Sequence, residues 1–388
     1  MTRIPKKQFP KIRKQSGIVI VVVILIITLM VTLLAFMIEQ QHLLIRRVTN
    51  QNVSEQGFQY AEAVNAWAER VLNDDANREI DYLFEDWATF GRPLEEITGE
   101  EVDDGFSLES SLRDDDEESE RVVIDIGFDG LEYSIDDLQA KFNLNNLSSR
   151  NPSLVQSQKR IFINLLELLE IGDFDQRERL FGALADWVDE NDEENIAGGG
   201  GTESGSYSVK QTPYYAADQK LGSVGELKFI EGFTEEIIAQ LTPYVTVLPI
   251  DNARININTA EAEVIASLNS AVVVDTGSVT AFLAARLQDG FQGFTRSDIQ
   301  AAETAIIGTN PVGARPVDNM MQVSSQFYQI NAKVVLGDYQ YCMKTVVLRE
   351  PVSQGGSATP KLSVLRREQD TLCIEENTTA IDREENNQ

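Results

Sequence analysis

Asp186, Asp189 and Asp192, in the stretch ADWVDENDEENIAGGGGTESGSYS, come nearest to a chemical site in this sequence. Asp186 and Asp189 stand i,i+3 and share one helix face. Asp192 follows about a turn later, and Glu203 comes after four consecutive glycines, Gly198 to Gly201. Calcium takes roughly six to eight oxygen ligands, several of them carboxylate, and an acid-rich helix end running into a Gly-rich loop can wrap one. The spacing is not that of an EF-hand. A solubilising acidic loop is the other reading, and the residues alone leave both open. Covalent catalysis is poorly served. The one histidine, His42, lies just past a long apolar run, so the body of the chain has none for a nucleophile–base pair or a His-rich metal site. A membrane-anchored enzyme using carboxylates alone, such as a glycosidase, stays compatible with the composition, and an activity screen separates it. Cys342 and Cys373 are the only cysteines. One disulfide in an oxidising compartment and two buried thiols are both compatible with them.

These residues sit in a chain of 388 residues, long enough for two or three domains, with a formal charge of −29. That charge argues against nucleic acid as a partner, since backbone binding needs a basic face. The charge is also polarised. Arg3, Lys6, Lys7, Lys11, Arg13 and Lys14 precede Gly17 with no acid among them. Ile18 to Ile38 then runs 21 residues, apolar except for Thr28 and Thr32. At about 1.5 Å per residue this spans roughly 30 Å, one hydrocarbon core. The basic flank stays cytoplasmic and the acidic bulk lies across the membrane, in the periplasm of a Gram-negative cell. A cleaved secretory signal would be shorter and would end in small residues. Here the small residues, Ser16 and Gly17, come before the apolar run.

Beyond the anchor, Glu39 to Asn73 continues as a helical pattern, with Phe58, Ala61, Ala66, Trp67 and Ala68 in an apolar stripe, and EDWATFGRPL, from Glu85, ends the periodicity with Gly91 and Pro93. Residues 95–120 form an acidic, solvated loop. Two β-like runs flank Asp129-Gly130, a hairpin signal. A helical pattern covers Lys159 to Asp189, with Phe162, Leu165, Leu166, Leu180, Leu184 and Trp187 as core. Ser223 and Glu226 form a capping box, and a further helix starts from Thr234 and ends before Pro243. RININTAEAEVIASL, from Arg254, has the look of a helix-hairpin-helix opening without its hairpin glycines; it reads as a structural, SAM-like helical module, with a small helix set at 278–306. Alternation returns at 326–350, with a turn at Gly337-Asp338, and a last strand falls at 361–368. The polar tail is expected to be disordered.

The basic leader, Gly17 and the apolar helix resemble a type IV prepilin leader. In that class a dedicated prepilin peptidase cuts after the glycine and the new first residue, here Ile18, is N-methylated. Position five of the mature chain would be Val22, where most pilins carry glutamate. An ionised carboxylate in a bilayer is costly unless paired, and in a filament it pairs with the amine of the subunit in front. A subunit without it fits a place with nothing in front, the tip. The phrase DLQAKFNLNNL carries a second resemblance through Asp137, Gln139, Phe142, Asn143, Asn145 and Asn146, and EDWA (85–88), DWVDEND and YYAADQKLGSVGEL support it. Together they are similar to the protein K family of type II secretion systems, the K-type minor pseudopilins. The resemblance departs at Asp218, where asparagine is usual, and at the four-glycine insertion, which puts the downstream metal ligands in doubt.

The resemblance implies a fold and a role. The fold is α+β: a pilin-like transmembrane helix and antiparallel sheet with a large inserted α-helical, SAM-like domain. The expected segments are leader 1–17, membrane span 18–38, helix continuation 39–90, first β part 91–150, inserted domain 151–322, second β part 323–368 and disordered tail 369–388. It implies one or two calcium ions on Asp186, Asp189, Asp192 and Glu203. The role is structural rather than enzymatic: the tip of a short periplasmic pseudopilus, initiating or capping the filament. The implied partners are minor pseudopilins I and J with H beneath, the prepilin peptidase, the inner-membrane assembly platform and secreted exoproteins. A large head agrees with a free end, because it would clash inside a helical stack. A minor pilin of a type IV pilus system is the nearest rival, decided by neighbouring genes or by loss of secretion on deletion.

Overall fold

The computed structural model describes residues 18–75, 78–91, 128–189, 207–209, 212–268, 276–287, 291–302, 318–337, 339–350 and 362–370. The chain divides into two compact units, Met1–Gln56 and Gly57–Gln388. The cleavage residue Gly17, the acidic loop 95–120, the metal candidates Asp192 and Glu203, Cys373 and most of the tail lie outside the described residues.

Helix α1 spans Ile18–Asp74. In the first unit it is the one helix, among the described residues, long and apolar enough to cross a membrane. Val22 and its neighbours present their side chains outward, as lipid contact requires. The two threonines do not break this pattern. Thr28 Oγ1 donates to the carbonyl oxygens of Ile24 and Leu25 at 3.0 and 2.9 Å, and Thr32 Oγ1 to that of Leu29 at 2.9 Å.

The second unit begins where α1 meets a sheet. A Cβ on Gly57 would stand 2.6 Å from the Tyr341 side chain, so only glycine allows this approach. Ala61, Val64, Ala68 and Leu72 follow at helical spacing, all buried. The stripe is narrower than the sequence suggested: Ala66 and Trp67 are exposed, Trp67 lying edge-on to Phe90 at 5.0 Å. The helix ends at Asp74, as the helical pattern to Asn73 predicts and short of the 39–90 segment assigned to it. The segment after it is drawn instead into turns whose polar groups bond elsewhere, the amide of Asp81 donating to Val323 O at 2.8 Å.

The sheet has four antiparallel strands in the order β1-β6-β7-β8: β1 Phe128–Asp137, β6 Phe327–Leu336, β7 Tyr339–Arg349 and β8 Leu362–Asp370. Asp129-Gly130 is not a hairpin turn. It lies inside β1, where the register on β6 shifts between Phe128 and Gly130, a bulge that glycine tolerates. Gly337, at φ +60°, does serve the β6–β7 connection. Cys342 on β7 is buried and disulfide-bonded.

β1 and β6 are neighbours in space, yet the chain between them builds a helical domain from 138 to 326. It holds α2 (Pro152–Leu168), α3 (Phe174–Val188), α4 (Glu235–Leu241), α5 (Ala262–Ser267) and α6 (Thr276–Leu283). The helical stretch expected from 159 to 189 is two helices. Glu170 and Gly172, at φ 56° and 62°, break it, and Asp173 caps α3 through Gln176 N at 2.8 Å. Two short parallel pairs were not anticipated: β2 (Phe142–Asn143) with β3 (Val245–Thr246), and β4 (Ile255–Asn256) with β5 (Met321–Gln322).

The asparagines of FNLNNL hold this domain together. Asn143, Asn145 and Asn146 are at most 1% exposed. Asn145 Nδ2 donates to Leu221 O and Leu248 O at 3.0 and 2.8 Å, and its Oδ1 accepts from Leu221 N at 2.8 Å. Asn143 Oδ1 accepts from Leu248 N at 2.9 Å, and Asn146 Oδ1 from Ala253 N at 2.9 Å. A short amide side chain can close a backbone ring on a segment about a hundred residues away, which no apolar residue can do.

Candidate functional site

The end of α3 places the first metal candidates. Asp186 is fully buried and Asp189 is the C-cap, its amide donating to Ala185 O at 3.1 Å. The last turn carries no basic residue. Two carboxylates therefore stand at the negative end of a helix dipole, beside carbonyls left free by the helix terminus. That arrangement opposes an ionised carboxylate and favours a cation, and oxygen donors suit a hard one. The chain leaves at Asp189 and returns at Tyr207, which packs edge-on to Trp187 at 5.3 Å and is itself fully buried. Asp186 and Asp189 supply oxygen donors of the kind a hard cation takes; Asp192 and Glu203 lie outside the described residues.

A second constellation was not read from the sequence as a site. It lies where the chain enters and leaves the inserted domain. Asp137, the last residue of β1, is buried and accepts four hydrogen bonds. Ser325 Oγ and Thr259 Oγ1 approach its Oδ2 at 2.6 Å each, Asn256 Nδ2 at 3.1 Å, and Gln139 N reaches Oδ1 at 2.7 Å. Asp81 is fully buried and accepts from Ser325 N at 2.6 Å and Tyr328 OH at 2.8 Å. Arg349, at the end of β7, donates to Asp81, to Asp75 at 2.7 Å and to Ser325 O at 2.9 Å, and lies 4.9 Å over the Tyr328 ring. Glu85 stands beside this group. Its Oε2 accepts from Trp87 Nε1 at 2.6 Å and Tyr82 N at 3.1 Å. Asp75, Asp81 and Glu85 offer carboxylate oxygens within 4.8 Å of one another.

Burial governs the electrostatics. Desolvation raises the Asp81 carboxyl to about 6 against the opposing pull of Arg349. Desolvation raises Glu85 to about 8, with Asp81 and Asp75 adding repulsion. Asp137 is pushed up by burial, its four donors pulling the other way. Asp137, Gln139 and Glu85 belong to the DLQAKFNLNNL and EDWA phrases, so their position was legible; their meeting with Arg349 and Ser325 was not.

Residues 140–250 match the family model described as Type II secretion system (T2SS), protein K. This range holds both the asparagine staples and the end of α3. The curated protein named Type II secretion system protein K from Aeromonas hydrophila is 27% identical over 358 residues, covering 88% of this chain and 95% of its own length. The chain is similar to the type II secretion protein K family. The family member from Klebsiella pneumoniae is 29% identical over 231 residues, 57% of this chain and 67% of its own. The putative member from Escherichia coli K12 is 32% identical over 131 residues, 33% and 39% of the two chains. The fold is similar to a chain in the crystal structure of the GspK-GspI-GspJ complex from enterotoxigenic E. coli, with TM-score 0.58 at 19% identity, covering 84% of this chain and 99% of that one.

Proposed function

We propose that this chain is the minor pseudopilin at the tip of a type II secretion pseudopilus, where it joins minor pseudopilins I and J, with H beneath, to initiate or cap the filament. Val22 carries this reading. It stands at the fifth position of an apolar helix that begins at Ile18 and leads, in one continuous element, into a sheet-packing segment. A subunit with no carboxylate there has nothing with which to neutralise an amine in front of it. The chain of similar fold was crystallised in a complex of GspK with GspI and GspJ, which supports the partners. The positive leader supports a single pass with a cytoplasmic N-terminus and a periplasmic body. The role is assembly, with no catalysis.

The test is intact-mass and N-terminal analysis of the full chain from membranes with and without the prepilin peptidase, followed by co-purification with I and J. The expected mature chain starts at methylated Ile18 and recovers both partners. A chain that still starts at Met1 in the presence of the peptidase would remove the pilin reading. Substituting Val22→Glu should leave cleavage intact and lower recovery of the tip complex. The same mass reports the disulfide, for which Cys373 is the partner we assign to Cys342.

Calcium belongs to the same proposal, held by Asp186 and Asp189 with Asp192 and Glu203 from the loop. An ion at a hundredfold excess over its Kd stabilises by about 2.7 kcal/mol. Chelation should lower the melting temperature of the full chain accordingly, and Asp189→Ala should melt like the chelated protein. Identical melting curves with and without chelator would remove calcium from this account.

A further inference from the structure

We propose that the carboxylate cluster Asp75, Asp81 and Glu85 stores one proton at neutral pH, and that its release loosens the joint between helix α1, the sheet and the inserted domain.

The geometry makes the cluster a joint. Asp75 follows the last residue of α1. Asp81 bonds the return of the insertion at Ser325, and its carbonyl accepts from Asn256 Nδ2 at 3.2 Å. Arg349 fastens both aspartates to the end of β7. The same Asn256 and Ser325 side chains reach Asp137, where the chain leaves the sheet. Glu85 locks its own turn through Tyr82 N and Trp87 Nε1, and the Trp87 ring packs edge-on to Tyr328 at 5.1 Å. A charge appearing on Glu85 therefore acts on the helix end, the insertion and two strands.

The charges do not balance if all three acids ionise. Arg349 spends its guanidinium on Asp75 and Asp81. The Arg78 guanidinium lies within electrostatic reach of Asp75 and Asp81 while its Nη2 donates to Asn73 O at 2.6 Å, so two cations face three acids. From the other sides the cluster faces Tyr82 and Asp86 on its own segment, Tyr328 on β6 and Asp137 on β1. Like charges this close in a desolvated site hold back one proton.

The sign follows from the raised values. Glu85 at about 8 and Asp81 at about 6 hold protons more tightly in the folded chain than in the unfolded one. Their contribution is fully present below the unfolded carboxylate values, about 4, and is lost as pH rises through the folded ones. Above pH 6 the remaining loss belongs to Glu85. Acid conditions tighten the joint and alkaline conditions loosen it.

The experiment uses the full chain in detergent micelles, with its tryptophan indoles labelled for NMR and Trp87 assigned by Trp87→Phe. The Trp87 indole N–H should titrate with a midpoint near 8, the value expected for Glu85. Melting temperature should fall across the same window, with faster amide exchange at 254–259 and 323–326. Glu85→Gln keeps an acceptor for both donors, so it should fold, lose the indole titration and flatten the melting profile between pH 6 and 9. An indole signal constant over that range, or a Glu85→Gln profile that matches the parent, would overturn the proposal. So would a shift of the Trp87 indole by millimolar calcium at pH 7 that Glu85→Gln abolishes, since the cluster would then bind a cation instead of storing a proton.

Discussion

Arg349→Met should destabilise the chain by about 3–5 kcal/mol, because it leaves two carboxylates behind without their cation. Arg349 is 3% exposed and Asp81 fully buried, so water cannot replace the guanidinium without opening the joint. The substitution also removes the donor to Ser325 O and the cation over the Tyr328 ring. Methionine keeps the length and the apolar contact of the side chain, so the loss measured is electrostatic. Urea unfolding of the full chain in micelles gives the number. Asp81→Asn in the same background should recover a large part of it, since a neutral amide needs no cation while still meeting Tyr328. An Arg349→Met chain with the parent midpoint would show that the ion pairs contribute nothing net, as many ion pairs at protein surfaces do.

Asn145→Ala should cost about 3 kcal/mol or more. Three backbone groups, Leu221 N, Leu221 O and Leu248 O, would lose their buried partner, at about 1–3 kcal/mol each before any water enters. Asn145→Asp should be worse than alanine. It keeps an acceptor for Leu221 N but turns a charged oxygen toward two carbonyls. The order aspartate below alanine below asparagine in melting temperature is the signature of a donor requirement. Alanine and aspartate at parity would mean that the site repacks. Asn331→Ala, where Asn331 is half-buried and bonds the Ser134, Asp136 and Gln329 side chains, should cost less than either.

What the sequence made visible depended on the range of the interaction. The Ser223–Glu226 capping box and the helix from Thr234 appear as expected, since each rests on residues three or four apart. Alternation from 327 onward gave β6, β7 and β8 for the same reason. The errors also have local causes. Asp129-Gly130 carries a turn dipeptide but β6 pairs along it, and ladder hydrogen bonds outweigh turn preference. The helical period across 169–173 hid a break, because Glu170 takes a left-handed conformation that the pattern does not mark.

By itself the sequence determined the long apolar helix, the uneven charge on either side of it, the antiparallel second half of the sheet and the acids at the end of α3. All of these follow from composition or from spacings shorter than two helical turns. Only the tertiary structure decided what the asparagine-rich phrase is for, and that Asp81, Asp137, Ser325 and Arg349 meet. Their separation along the chain, such as the 268 residues between Asp81 and Arg349, carries no periodic signal. The physical reason is that a charge can be buried only where its partners converge, and β1 and β6 bring them together by closing the sheet around a domain inserted between them.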